Sequence, residues 1–197
     1  MEVIGIPAFN EEKNISSIIA KIMKEGYSVI VCNDGSTDMT GIVAEKMGAT
    51  VINHKKNLGY GAAIRSIFLK AKEIECDVLV TFDADGQHRI EDIPKVLESL
   101  KNNKADMVIG SRFLENNDKN IPTYRKIGIK TITKISNIST DLKITDSQSG
   151  FRAYNKKILN QITPSEFGMG VSTEILIKCS KLNFKILEVP IIVTYEG

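Results

Sequence analysis

The stretch VLVTFDADGQH occupies residues 78–88, and it decides the fold that we predict. Its first five residues are apolar or β-branched, which is typical of a strand buried on both faces of a parallel sheet. The next residues are two carboxylates, Asp83 and Asp85, separated by one small residue. Ligands of open parallel sheets bind beyond the carboxyl ends of the strands. The stretch therefore predicts a central strand that ends at a ligand site.

Similar strand-like runs recur through the first 110 residues, at 3–6, 29–32, 50–52 and 107–109. Amphipathic helical patterns lie between them. In the first of these, isoleucines recur on one face, Asn10 is the predicted cap and Gly26 the predicted stop. This alternation predicts an α/β fold: a mostly parallel, doubly wound, Rossmann-like sheet with helices on both faces.

The pattern changes after Gly110. Residues 114–120 are polar and predict a loop, and residues 121–138 form a long segment in which Ile alternates with Lys and Arg. Three further elements are predicted: a strand within 146–154, a helix at 171–182 and a last strand pair within 184–194. Since the sequence shows no internal repeat and no low-complexity linker, we predict one domain over residues 1–197.

The composition excludes several classes of protein. Hydrophobic residues make up 42% of the chain and its net charge is +2, too balanced to indicate nucleic-acid binding. The three cysteines show no metal-ligand spacing and are predicted to be buried free thiols of a reducing compartment. The sequence contains no apolar run of about 18 residues and no signal peptide, so we expect a cytoplasmic protein. Nothing in it indicates an oligomeric state.

Polar residues follow each of the five predicted strands. They fall within the segments 7–12, 33–38, 57–61, 83–88 and 110–112, which also contain apolar residues such as Phe9 and Leu58. Because the carboxyl ends of parallel strands meet at one edge of a sheet, these segments predict a single functional rim.

Two segments of this rim suggest particular chemistry. Asp83 and Asp85 supply the oxygen ligands that Mg²⁺ prefers, and the small Ala84 leaves room for a diphosphate; the other interpretation is a capping turn before a helix. In the segment 57–61, Gly59 and Gly61 permit close backbone approach, and the N-terminus of the helix that follows favours anionic groups.

Taken in chain order, these residues resemble a family 2 glycosyltransferase with the GT-A fold. The motifs Asp-Ala-Asp-Gly-Gln-His at 83–88 and Ser-Gly-Phe-Arg at 149–152 are the most specific. Together with residues 146–148 and 188–191, they resemble the polyprenyl-phosphate (dolichyl-phosphate) mannose and glucose synthases. The resemblance implies an inverting, metal-dependent transfer of a hexose from a nucleotide diphosphate sugar to a polyprenyl or dolichyl phosphate. It divides the domain into a nucleotide-sugar-binding half, 1–112, and an acceptor-side half, 113–197.

The resemblance also implies residue roles. Contacts with the nucleotide-sugar are implied for Pro7, Phe9, Glu11, Asn33, Asp34, Gly59, Asp83, Ala84 and Asp85. Mg²⁺ or Mn²⁺ would be held by Asp83, Asp85 and Gln87. Phosphates, including that of the acceptor, would be met by Arg112, Arg125 and Arg152. The implied catalytic set is Asp83, Asp85, Arg112, Asp146 and Arg152.

A lipid phosphate needs no strong general base, because its second pKa of about 6 leaves it largely ionised at neutral pH. Asp146 or Glu174 could orient groups near the acceptor, and a salt bridge to a nearby Arg is the other interpretation of each. Asn33 stands where many relatives carry Asp. Since an amide both donates and accepts, it suits uracil and favours a uridine over a guanosine diphosphate sugar.

Two further departures concern the acceptor side. Gly128 and Ile129 follow Arg125 where the family has a Ser about one turn on. The sequence ends at Tyr195-Glu196-Gly197, where relatives usually continue through a basic loop and often into membrane helices, and we expect that such an anchoring part, if the natural protein has one, is not in this sequence.

The segment 121–138 is the predicted contact with a membrane surface, at its cytoplasmic face. The isoleucines that would dip into the lipid are Ile127, Ile132, Ile135 and Ile138, and the cations that would meet headgroups are Arg125, Lys126, Lys130 and Lys134. The other interpretation is a helix whose isoleucines face the protein core.

Two other functions compete with transfer to a lipid phosphate. One is glycosyl transfer to a sugar hydroxyl, which requires a general base. The other is a receiver-like, phosphate-sensing domain without transferase activity, with Asp83 as its phosphorylation site. That reading leaves Asp85 and Gln87 without a role.

Overall fold

The structure is a computed structural model that describes residues 1–194, without the side chains of Asn116, Lys119 and Asn120. The terminal residues Tyr195, Glu196 and Gly197, singled out above, lie outside the described residues.

A seven-stranded sheet forms the centre of the described chain, in the order β3-β2-β1-β4-β6-β5-β7. The strands are β1 Glu2–Ala8, β2 Ser28–Asn33, β3 Thr50–Asn53, β4 Val78–Thr81, β5 Met107–Ser111, β6 Arg152–Asn155 and β7 Ile186–Pro190. All neighbouring strands are parallel except β6, which is antiparallel to both β4 and β5. The predicted mostly parallel sheet is confirmed.

Helices cover both faces of this sheet, as predicted. They are α1 Ile15–Lys24, α2 Thr40–Lys46, α3 Tyr60–Glu73, α4 Ile93–Asn102, α5 Thr123–Thr140, α6 Lys156–Gln161 and α7 Val171–Lys181. One apolar cluster joins the sheet to α1, α2 and α4, and a second joins the opposite face to α3, α6 and α7. Successive strand residues serve the two clusters in turn: Val3 belongs to the second and Ile4 to the first.

Several local predictions need correction. Helix α1 begins after Asn14 rather than Asn10. Asn10 has a positive φ of 56°, and its side chain accepts the N–H of Thr37 at 2.9 Å, which ties the loop after β1 to the loop after β2. The segment Leu114–Asn120, predicted to be a loop, is a 3₁₀ helix.

The C-terminal part also differs in detail. Instead of a strand pair within 184–194, the described residues form the single strand β7 and an isolated bridge between Val193 and His88. The strand predicted within 146–154 begins only at Arg152. The three cysteines are buried and free, as predicted. Within residues 1–194 no helix is both long enough and apolar enough to cross a membrane.

Candidate active site

A cleft of about 300 Å³ lies at the carboxyl ends of β1 and β4. Its lining comes from five parts of the chain: Pro7, Phe9 and Glu11; Tyr60; Asp83, Ala84 and Asp85; Gln148 and Gly150; and Met169 and Ser172. Six of the residues predicted to bind the nucleotide-sugar are thus brought together. The cleft residues beyond residue 147 were missed; Gln148 and Gly150 reach the cleft because β6, which follows them, pairs with β4.

The carboxylate of Asp83 is held from two sides. The Tyr60 hydroxyl lies 3.1 Å from Oδ1, and His88 Nε2 lies 3.2 Å from Oδ2. Burial acts to raise the pKa of Asp83, but the hydrogen bonds with His88 and Tyr60 and the charge of Arg112 outweigh it and hold the pKa below its ordinary value. Asp83 is therefore ionised at neutral pH.

Asp85 is the more exposed of the two carboxylates, and its Oδ1 accepts the N–H of Gln87 at 3.0 Å. Burial raises its pKa, and the neighbouring charge of Asp83 adds to the increase. A cation would relieve the repulsion between the two carboxylates, so this pair of oxygen donors fits a hard divalent metal ion.

Gln87, the third predicted ligand, lies beside Asp85, whose carboxylate accepts its backbone N–H. It lines an adjoining groove of about 550 Å³ that Asp85 also borders, together with Lys13, Lys21 and Arg89. Among the described residues no group of three or more His, Cys, Asp or Glu side chains forms a metal cluster. A metal ion here would have to complete its ligands with substrate phosphates, which is common for Mg²⁺.

Asp34 is not among the residues that line the cleft, and its contact with the nucleoside stays a prediction. It is buried, and its carboxylate accepts the N–H groups of Leu58 at 3.0 Å and Gly59 at 2.9 Å. His54 Nδ1 lies 2.6 Å from Oδ1. Asp34 therefore fastens the end of β2 to the turn before α3.

Asn33 is also engaged with the protein. Its Nδ2 donates to Asn53 Oδ1 at 2.8 Å, and its Oδ1 accepts the N–H of Ser36 at 3.1 Å. It is not among the residues that line the cleft. The suggestion that it reads the base is therefore still only a prediction.

The two glycines before and within α3 serve a purpose that the sequence did not reveal. The N–H groups of Gly61 and Ala62, in the first turn of α3, donate to the carbonyl oxygen of Phe167 at 2.8 and 3.3 Å. A Cβ on Gly59 would also meet this oxygen. The helix N-terminus is thus capped by backbone, which corrects the expectation of an anion site there.

Phe167 belongs to an exposed segment, residues 165–170, which we call the cap loop. Glu174, in the first turn of α7, accepts the N–H groups of Ser165 at 2.9 Å and Glu166 at 2.8 Å. Burial acts to raise the pKa of Glu174, but hydrogen bonds from Lys178 and Ser165 lower it to about 2. Glu174 therefore anchors the cap loop, whose Met169 lines the cleft.

Arg112 and Asp146 form a bidentate ion pair. Arg112 Nε lies 2.7 Å from Asp146 Oδ2, and Nη2 lies 2.8 Å from Oδ1. Asp146 is fully buried and also accepts the backbone N–H groups of Arg112 and Gln148. The salt-bridge interpretation of Asp146 is confirmed.

Arg152 is 1% exposed, and its contact with a phosphate stays a prediction. Its guanidinium donates to three backbone carbonyls, those of Ser149 at 2.7 Å, Ser172 at 2.9 Å and Ser147 at 2.6 Å. It therefore holds the wall of the cleft from inside. Arg125, the remaining predicted phosphate contact, is exposed on α5 and is not among the residues that line the cleft.

Comparison with known proteins agrees with this architecture. The family model described as glycosyl transferase family 2 matches residues 3–163. An uncharacterized protein of Methanocaldococcus jannaschii is 38% identical over 98% of this chain and 81% of its own length. The UDP-N-acetylglucosamine--dolichyl-phosphate N-acetylglucosaminyltransferase of Methanococcus voltae is 33% identical over 96% of this chain and 84% of its own length.

Among solved structures, glucosyl-3-phosphoglycerate synthase of Mycobacterium tuberculosis, in complex with Mn²⁺, uridine diphosphate and glucosyl-3-phosphoglycerate, superposes with a TM-score of 0.76. The match has 20% sequence identity and covers 100% of this chain and 72% of that one, so it shows the fold. The chain therefore belongs to glycosyl transferase family 2, as its resemblance to the polyprenyl-phosphate sugar synthases predicted.

Proposed function

We propose that this glycosyltransferase moves a hexose from a uridine diphosphate sugar to a polyprenyl phosphate, with inversion at the anomeric carbon. The observation that carries the proposal is the meeting of Asp83 and Asp85 with Pro7, Phe9 and Glu11 in one cleft. The relative from Methanococcus voltae is named for a uridine diphosphate sugar and dolichyl phosphate. The alternative of a phosphate-sensing domain without transferase activity is excluded, because the chain belongs to a family of glycosyltransferases.

The cleft offers suitable contacts for a nucleotide-sugar. Phe9 is 44% exposed at the rim and presents an aromatic surface to a base. Asp83 and Asp85 would hold Mg²⁺ or Mn²⁺, with Gln87 beside them, and the metal would neutralise the charge of the departing diphosphate. The structural relative that was crystallised with Mn²⁺ and uridine diphosphate has the same fold.

The state of Asp146 and Glu174, the two carboxylates considered as orienting groups near the acceptor, favours a phosphate acceptor over a sugar hydroxyl. A hydroxyl acceptor requires a general base. Asp146 is committed to Arg112, and Glu174 to the cap loop. A phosphate acceptor that is already ionised makes no such demand.

Helix α5 supports contact with a membrane surface. Its buried residues are the small polar Thr133, Ser136 and Thr140. The exposed fractions of its isoleucines are 62% for Ile127, 43% for Ile132, 59% for Ile135 and 77% for Ile138. The interpretation of these isoleucines as core-facing is therefore wrong.

Cations flank this apolar stripe. Lys126, Lys130 and Lys134 recur at intervals of four residues and so share one flank of the helix. Lys126 and Lys130 also bind Asp118, at 3.0 and 3.7 Å, which moderates their charge. We propose that α5 rests on the cytoplasmic face of a membrane, where isoleucines enter the lipid and the lysines meet anionic headgroups.

The proposal is tested by incubating the protein with radiolabelled nucleotide-sugars, Mn²⁺ and a polyprenyl phosphate, and measuring labelled lipid. Chelation should abolish transfer, and Asp85→Ala should reduce its rate more than about 100-fold, because the charge of the leaving group is then unbalanced. Glu73→Ala, which removes a carboxylate that is 67% exposed on α3, is the matched control. Full activity in excess chelator, or transfer only to sugar hydroxyls, would refute the proposal.

A further inference from the structure

Three separate segments of the chain converge on the carboxylate of Asp83. Tyr60 comes from the first turn of α3, His88 from the segment after β4, and Gly150 from the segment before β6. None of them was assigned a role by the sequence motifs, although each lies within one.

Tyr60 fixes one oxygen of the carboxylate. Its hydroxyl lies 3.1 Å from Asp83 Oδ1, and its side chain lines the cleft. The turn before Tyr60 is held in place by Asp34, through the N–H of Gly59. The Tyr60 hydroxyl that contacts Asp83 therefore belongs to a helix turn that a hydrogen bond to Asp34 holds in place.

His88 fixes the other oxygen. Its side chain is 6% exposed, and its Nε2 lies 3.2 Å from Asp83 Oδ2. The ring packs against both Phe82 and Phe151, with centroid separations of 5.7 and 5.4 Å. Its Nδ1 is buried and has no hydrogen-bond partner among the described residues. Since a carboxylate only accepts hydrogen bonds, His88 donates from Nε2 to Asp83.

The backbone of Gly150 packs directly against the Asp83 carboxylate. A Cβ at this position would lie 2.5 Å from Asp83 Oδ2, 2.8 Å from Oδ1 and 2.6 Å from the Tyr60 hydroxyl. Thr81, the last residue of β4, donates its hydroxyl to the carbonyl of Gly150 at 2.6 Å. Only glycine leaves room for the carboxylate in this position.

We infer that Tyr60 and His88 are positioning residues that preset the orientation of the Asp83 carboxylate for the metal-bound donor, with Gly150 as its support. Each oxygen of Asp83 receives one donor, so the carboxylate cannot rotate, and each oxygen keeps a lone pair for the cleft. A site preorganised in this way loses less freedom when its ligand binds. The inference rests on the proposed function.

The test measures uridine diphosphate binding by calorimetry, with Mn²⁺ and without it. We call the factor by which Mn²⁺ increases the affinity for uridine diphosphate the gain from Mn²⁺. Tyr60→Phe and His88→Leu should each reduce this gain about tenfold, because each removes one hydrogen bond to a charged group. The affinity of both variants for uridine diphosphate without Mn²⁺ should be unchanged. His88→Gln, whose amide can donate to Asp83, should recover much of the gain. Tyr27→Phe, at a half-buried tyrosine packed against the core cluster that includes α1 and α4, is the control and should behave as the wild type.

Two outcomes overturn the inference. Either the gain from Mn²⁺ survives Tyr60→Phe and His88→Leu, or both variants weaken metal-free binding just as much, which would indicate a general structural role. The proposed function fails separately: in that case the wild-type protein shows no gain from Mn²⁺ with uridine or guanosine diphosphate. That result also removes the inference that depends on it.

Discussion

Replacing Gly61 by alanine tests whether the cap loop sits on the N-terminus of α3. Gly61 is the second residue of this helix, where helix propensity alone predicts that alanine stabilises by up to about 1 kcal/mol. The structure predicts the opposite sign. A Cβ would lie 2.7 Å from the carbonyl oxygen of Gly168 and 2.8 Å from the carbonyl carbon of Phe167, and closer still to the oxygen of Glu166.

All three of these atoms belong to the backbone, so the cap loop itself must move. It would lose the hydrogen bonds from Gly61 and Ala62 to Phe167, each worth about 0.5–1.5 kcal/mol. The overpacking adds about 1–3 kcal/mol. After the propensity gain of about 1 kcal/mol is subtracted, the net destabilisation is about 1–5 kcal/mol, which for a domain of this size lowers Tm by about 2–20 °C.

Gly128→Ala is the matched control, because a Cβ at this exposed position within α5 has no atom within 4 Å. It should raise Tm by about 1–4 °C through helix propensity. Both variants are compared by thermal unfolding followed by circular dichroism. An unchanged or higher Tm for Gly61→Ala would refute the described docking of the cap loop.

Three further predictions follow from individual contacts. The pKa of Glu174 is lowered from 4.5 to about 2, so its ionised form stabilises the fold above about pH 4.5 and this contribution is lost as the pH falls towards 2. Between pH 6 and pH 3 the free energy of unfolding, measured with urea, should therefore fall less for Glu174→Gln than for the wild type. An equal fall in both proteins would contradict the anchoring role. Arg152→Met should destabilise by more than about 3 kcal/mol, because three buried carbonyls lose their donor; normal stability with loss of lipid transfer would instead support the predicted phosphate contact. Ile135→Ser with Ile138→Ser should weaken sedimentation with anionic vesicles and leave Tm and nucleotide binding unchanged, since both side chains are exposed; unchanged sedimentation would mean that α5 is not the membrane face.

The sequence by itself determined the α/β class, the five strands before residue 112 and the rim at their carboxyl ends. These features depend on local patterns: β-branched runs, helical periodicity and polar residues just after strands. The pair Asp83 and Asp85 could be found for the same reason, because a strand end carries its next residues to a known edge of the sheet.

Tertiary structure decided which of those rim residues reach the cleft. Asp34 of the rim, and Arg152 outside it, looked as suitable for ligands as Asp85 did, but they bind Gly59 and Ser172, partners 25 and 20 residues away in the chain. The glycines of α3 receive the cap loop, which lies about a hundred residues further on. Whether a polar group meets ligand or protein depends on such long-range neighbours, and a single sequence does not specify them.

Helix α5 shows the same limit for apolar residues. Its isoleucine stripe satisfies the pattern of a buried face, but the helix packs through its opposite side: Thr133 Oγ1 lies 3.0 Å from Ser147 Oγ, and Ser180 donates to the carbonyl of Thr140 at 2.7 Å. Periodicity establishes that a helix has two unlike faces. Which face turns towards the protein is decided by the free energy of packing against the rest of the chain, and that quantity exists only in the folded structure.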